Sequence, residues 1–384
     1  MVSVSRQAIP WFDAVWVWDE TAGAYIDNTL ESRRPAGTAF TILEDSDDYL
    51  YLGSPGRFDL AGFLLSTNGS LGDLTYEYYS GSAWVEFVPG TRYLYASGEG
   101  TGVEPLFDNY DFTNDGAETF ELLRDWGTLV FSNGTPHSAE PPDGSTRYWV
   151  RISTASITTA PTVNQIIMRP YAAYCRHTDV SNLMQLDVAF SSSTTPTDST
   201  VEDAIFAAQG RIDTSTRRSW RIGYQKNEHH EFNLAGMKLD RAHAWHVTDL
   251  QVWNGSEFQT RTSGRNQDYF LLPDINMVHW SRYFVLPARF QSVSSTLGWW
   301  GWGEFIMPVR ATYFYGRDIA MDSREGPMVF DIARKMAAID IWQSHDYSLL
   351  AVSGTDKITL DRKVENWKLQ IEDDLDKLTA WEVF

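Results

Sequence analysis

Asn227-Glu228-His229-His230-Glu231 reads at first as a metal motif. A zinc hydrolase of the HExxH type sets two histidines one helical turn apart, with the glutamate between them, so that all three share a face. Here the histidines are adjacent, and neighbouring positions of a strand or helix point apart. Ordinary polar surface is the expectation. His243 and His246 bracket Ala244-Trp245, a spacing that chelates only in a helix, and the local pattern reads as a strand entry. Glu44-Asp45 and Asp47-Asp48 offer the carboxylate pairs a glycosidase needs. Acids are abundant, however, and nothing selects one pair, so a solvated acidic loop is expected. There is no GxSxG elbow and no P-loop. The glycine-rich GEGTG at 98–102 lacks a lysine and a following helix. The sequons at Asn68, Asn133 and Asn254 read as turns. No catalytic residue, cofactor or metal is expected.

Three other features are suited to contact rather than catalysis. GWWGWGEF (298–305) sets Trp299, Trp300 and Trp302 among glycines. Indoles give rigid contact area at low entropic cost, which suits a protein interface or a sugar platform. Arg211, Arg217, Arg218 and Arg221 cluster at the end of a helical pattern, where they meet either the helix dipole or an acidic neighbouring chain. The sequence closes on LTAWEVF, in which Trp381, Val383 and Phe384 form an apolar tail after a charged helix. Free termini are usually polar, so such a tail suggests a docked segment.

The elements that must carry these residues fall into two regimes. Residues 1–170 hold nine Arg, no Lys and 23 acidic residues, so about −14 of the chain's −20 lies there. They read as short alternating strands such as YLYLG (49–53), LTYEYY (74–79), AWVEFV (83–88) and RYWVRIS (147–153), punctuated by Gly, Pro and Asn turns. That pattern predicts a β-sandwich. Residues 171–384 open with an expected strand at 183–191. A helix follows over about 199–222, with Ser199 and Glu202 as its capping box. A β region lies over about 244–315, and helices over about 327–343 and 360–380. The fold class is mainly β plus α. Leu360, Val364, Trp367, Ile371, Leu375 and Leu378 make one apolar stripe on the last helix, and Glu372, Asp373, Asp374 and Asp376 lie on its charged side. The hairpin TYEYYSGSAWVEF (75–87) is echoed by DLQVWNGSEF (249–258), which reads as one turn used twice, with Ser80-Gly81 at its tip. A weaker echo is VWDETAGAY (17–25). Cys175, the one cysteine, excludes an internal disulfide and is expected to be a buried small apolar residue. No basic leader followed by an apolar core opens the chain, and no membrane span is expected. The acidic balance excludes a tight sequence-specific grip on nucleic acid.

DSTVEDAIFAAQGRIDTSTRRSW (198–220) is similar to the first helix of the head-to-tail connector (adaptor) proteins of tailed bacteriophages. DYFLLPDINMVHWS (268–281) resembles that family's inserted strand pair, and 327–378, with MAAIDIWQSHDYSLLAVSGTDKITLDRKVENW (336–367), its C-terminal helices. LYLGSPGRFDLAGFLLST (50–67), RDWG (124–127) and TRYWVRI (146–152) resemble a β-sandwich module of phage tail, neck and baseplate proteins. The resemblance implies a structural virion protein at the head–tail interface, made in the host cytoplasm. Its architecture would be an N-terminal sandwich, 1–170, followed by an adaptor-like helical domain, 171–384, with an inserted β region. Adaptors form rings, typically of twelve identical subunits, that bind the portal and tail or neck proteins and pass double-stranded DNA without reading its sequence. Trp381, Val383 and Phe384 would then dock on the portal. Glu372, Asp373, Asp374 and Asp376 would line the channel, and Arg217, Arg218, Arg221, Trp299, Trp300 and Trp302 would face neighbouring subunits. A tail or baseplate component and a glycan-binding sandwich, with Trp84 or the tryptophan loop as platform, are the other readings.

Overall fold

The computed structural model describes residues 11–33, 38–87, 112, 116–119, 129–130, 146–233, 236–254, 257–264, 266–281, 309–317, 319, 324–344 and 354–380. The chain divides into two compact units, one over Ile9–Tyr171 and one built on Ala172–Phe384.

The first unit holds β1 (Ala14–Asp19), β2 (Ala24–Asp27), β3 (Phe40–Thr41), β4 (Tyr49–Ser54), β5 (Phe58–Thr67), β6 (Ser70–Leu71), β7 (Leu74–Tyr79), β8 (Trp84–Phe87), β9 (Gly116–Thr119), β10 (Leu129–Val130), β11 (Thr146–Thr154), β12 (Ile157–Thr159) and β13 (Thr162–Pro170). One sheet runs β2-β1-β4-β11-β7-β8, with β10 also on β11, and a second runs β3-β13-β5-β9. All pairings are antiparallel. Strand alternation sends Val15, Val17, Leu50, Leu52, Tyr76, Tyr78, Val150 and Ile152 of the first sheet into one core with Phe58, Phe63, Val163, Ile166 and Met168 of the second. The odd partners of that alternation form an aromatic layer on the other face, with Trp18, Tyr51 and Trp149 buried and Trp16, Tyr25, Tyr49, Tyr79 and Trp84 packed beside them. Gly53 is obligatory there: a Cβ would meet the Trp149 ring at 2.6 Å.

The second unit contains α1 (His177–Met184), α2 (Asp198–Thr216), α3 (Gly326–Ser344) and α4 (Gly354–Ala380). Between α2 and α3 lie β14 (Gly223–His230), β15 (Met237–Lys238), β16 (His246–Trp253), β17 (Phe258–Thr260), β18 (Tyr269–Leu272), β19 (Met277–Trp280) and β20 (Val309–Tyr315). They form two antiparallel sheets, β14-β20-β16-β17 and β15-β19-β18, which share a core of Leu250, Val252, Val309, Ala311 and Tyr313 with Leu239, Tyr269, Val278 and Trp280. The β region therefore begins at Gly223, well before residue 244. The helices have their own core. Both faces of α3 are buried, with Val329, Ile332 and Ala333 on one side and Phe330, Ala337 and Ile341 on the other. Val364, Trp367, Ile371, Leu375 and Leu378 of α4 pack into the same cluster, and Trp367 stacks on Trp342 at 5.0 Å.

Several expectations need correction. The segment 183–191 is not a strand. Helix α1 covers 177–184, with Asp179 accepting the Arg176 N–H at 2.8 Å as its cap, and it buries Val180 and Met184 at helical spacing. The cap of α2 is Thr197, whose hydroxyl accepts the Thr200 N–H at 3.3 Å, rather than Ser199. That helix stops at Thr216, not near 222, because Arg217 turns left-handed. Cys175 is buried, and burial pushes its thiol well above the usual range.

Candidate functional site

The two hairpins match beyond their turns. In each, the sequence aromatic–X–Gly–Ser–X–aromatic joins two strands, and the aromatic residues face one another across the pair, Tyr79 opposite Trp84 and Trp253 opposite Phe258. Their rings meet edge to face at 5.6 and 5.3 Å. The X side chain holds the turn in both: Ser80 Oγ accepts from Ala83 N at 3.3 Å and Asn254 Oδ1 from Glu257 N at 3.0 Å. Ser80 pairs with Ala83 (N to O, 2.9 Å), so the central residues of the first turn are Gly81-Ser82, one position later than expected. Gly81 has φ 96, as glycine at the first central position of a type II′ turn requires.

The match extends to the flanking strands. The order β4-β11-β7-β8 in the first unit corresponds to β14-β20-β16-β17 in the second, in the same chain order. Arg151 on β11 stands opposite Glu77 and Tyr51, and Arg310 on β20 stands opposite Gln251 and His229. Arg151 donates to Glu77 at 2.5 and 2.9 Å, and Arg310 Nε to Gln251 at 3.1 Å. Each guanidinium lies over the second hairpin ring, 4.5 Å from Trp84 and 4.7 Å from Phe258. Tyr51 and His229 complete each cluster with an edge contact to the same ring. This is a repeated four-stranded unit with an arene–guanidinium cluster on one face, not merely a turn used twice. In the first unit Tyr51 and Arg151 are buried. In the second His229 is exposed and Phe258, Trp253 and Arg310 are half-buried. Trp84 is wedged among Tyr51, Tyr79 and Arg151, which leaves it half-buried.

The arginines after α2 divide. Arg218 pairs with Glu325 at 3.2 Å, with side chains only 11% and 12% exposed. Arg221 reaches Asp213 at 3.4 Å and lies over the Phe206 ring. Asp213 also takes the Tyr174 hydroxyl, and Tyr174 in turn accepts the Trp220 N–H at 2.8 Å. Burial first, and then the Asp213 carboxylate, push the Tyr174 phenol well above its usual range, so it stays a neutral donor. Arg218 and Arg221 thus have their charges matched inside the chain. Arg217 is exposed, and among the described residues it makes no ion pair. Arg211 pairs with Asp340.

On α4 the residues expected on the charged side are brought to one surface. Glu372, Asp373 and Asp376 are exposed and Asp374 is half-buried. Lys377 bridges Asp373 at 2.6 Å and Asp374 at 2.9 Å, which raises its pKa. Leu369, an apolar residue away from the stripe, is 64% exposed. Trp299, Trp300, Trp302, Trp381, Val383 and Phe384 lie outside the described residues. Of the acids at 44–48, Asp48 is a buried turn organiser that accepts N–H groups of Glu20, Glu44 and Asp45 at 3.0, 2.8 and 2.9 Å. Among the described residues no helix is long and apolar enough to cross a membrane. Comparison with protein-family models finds no match, and neither does comparison with curated proteins.

Proposed function

We propose that this chain is a structural virion protein, a head-to-tail connector that assembles as a ring of identical copies beneath the portal and continues the DNA channel. The reading rests on the resemblance of 198–220, 268–281 and 327–378 to adaptor proteins. The observation that supports it best is the division of α4: its apolar stripe is buried in the helical core, while Glu372, Asp373 and Asp376 project to solvent. A wall of carboxylates repels phosphate and lets duplex DNA slide. Arg217 and the tryptophan loop would serve contacts between copies, the last residues the portal, and the acidic N-terminal unit the neck or tail.

Negative-stain electron microscopy and light scattering of the purified full chain, alone and with portal-bearing heads, test this. Closed rings with an axial opening, or a ring bound at the portal vertex, are expected. A stable monomer at about 10 μM that ignores heads would end the proposal. Trimers that bind a glycan array through Trp84 or Trp299 would replace it with the sugar-binding reading.

A further inference from the structure

Strand β14 is bulged between Gln225 and Glu228, with Asn227 at φ 53, and bulges re-aim the side chains that follow. Beyond the bulge Glu228 and His230, two residues apart, share a face. Both side chains are 9% exposed. Glu228 Oε2 accepts the Tyr313 hydroxyl at 2.6 Å, and Oε1 accepts the Asp240 N–H at 3.1 Å and also meets His230 Nε2. Tyr313, on β20, is itself fixed by the Arg241 N–H at 3.1 Å. Asp240 lies on the connection between β15 and β16. One ligand atom from each of Glu228, His230 and Asp240 lies within 4.8 Å of the others. Among the described residues the Asp240 carboxylate accepts no hydrogen bond and meets no cation. Two carboxylates therefore converge on one imidazole, an arrangement that favours a positive charge between them.

We propose that Glu228, His230 and Asp240 form a binding site for a divalent transition-metal ion, with zinc the best fit. One imidazole nitrogen and two carboxylate oxygens are a zinc donor set. A tetrahedral ion with ligands at about 2.0–2.2 Å sets its donors roughly 3.4 Å apart. Glu228 Oε1 and His230 Nε2 already face one another, and the metal takes the place of the hydrogen bond between them. Asp240, exposed and unpartnered, closes the remaining distance. Tyr313 orients the Glu228 carboxylate as an outer-sphere hydrogen bond does. Three protein ligands leave a fourth place for water on the Asp240 side. The ion would clip the Asp240 connection to β14 and so join the small sheet to the larger one.

The test uses the full chain, stripped with a chelator, dialysed and titrated with zinc chloride against a chromophoric competitor. Cobalt(II) serves as the spectroscopic probe. One saturable site per chain is expected, with tetrahedral cobalt bands, and Asp240→Asn should weaken it by about 10-fold or more. His230→Gln should abolish it. Because His230 is buried and that variant can misfold, Asp240→Asn, exposed and checked by circular dichroism, is the deciding change. Zinc affinity unchanged in Asp240→Asn means scattered surface histidines bind the ion, and the site is wrong. So does the lack of saturable binding up to about 100 μM, a range far weaker than structural zinc sites show.

Discussion

Arg217 occupies the left-handed cap of α2, at φ 53 and ψ 25. That position favours glycine, and a Cβ there costs on the order of 1 kcal/mol. Its neighbours Arg218 and Arg221 explain themselves through Glu325 and Asp213. Arg217 brings strain and an exposed guanidinium, a combination that makes sense where the charge meets another chain. Arg217→Gly should therefore raise monomer stability by about 0.5–1 kcal/mol in denaturant unfolding. The same variant should weaken self-association, read as a roughly 10-fold rise in the dissociation constant by analytical ultracentrifugation. A variant that assembles like the parent removes Arg217 from any subunit contact.

Helix α4 separates its two duties by face. Trp367 is buried against Trp342, with the Lys363 ammonium 4.9 Å from its ring, whereas Leu369 points to solvent. Trp367→Ala should cost about 3–5 kcal/mol of stability. Leu369→Ser should change stability by no more than about 0.5 kcal/mol yet reduce assembly. Equal loss of stability in the two variants would mean that the exposed face also packs within the chain. This stripe was legible in the sequence because a 27-residue helix repeats its period many times. Helix α1 was not, since eight residues give about two turns, and LMQLDVAFS alternates well enough to read as a strand. The hairpins announced themselves through X-Gly-Ser-X between aromatics. The larger repeat did not, because Arg151 and Arg310 are separated from their hairpins by stretches of sequence of unequal length. Tyr51 and His229, moreover, fill the same place with different chemistry. Glu228 and His230 were visible as a pair, but Asp240 joins them only through the turn after β15, and no strand or helix period connects it to them.

At the scale of the molecule, charge location and charge amount make different predictions. The chain carries a net −20, most of it before residue 171, so any added lysine raises its affinity for DNA somewhat. If the exposed face of α4 lines a channel, position must dominate. Replacing Glu372, Asp373 and Asp376 with Lys alters that face by six charges in every copy of a ring. Replacing Glu44, Asp47 and Asp73, exposed acids of the N-terminal unit, alters net charge equally. The assembled α4 variant should bind duplex DNA with a salt-dependent affinity, losing about 0.9 log units of binding per log unit of salt for each phosphate contacted. It should also slow DNA ejection from reconstituted particles. The N-terminal variant should eject DNA at the parental rate. Equal retardation by both would assign the effect to net charge and place α4 away from the DNA path. Parental ejection by both would remove the channel role from this helix while leaving the ring itself to be judged by microscopy.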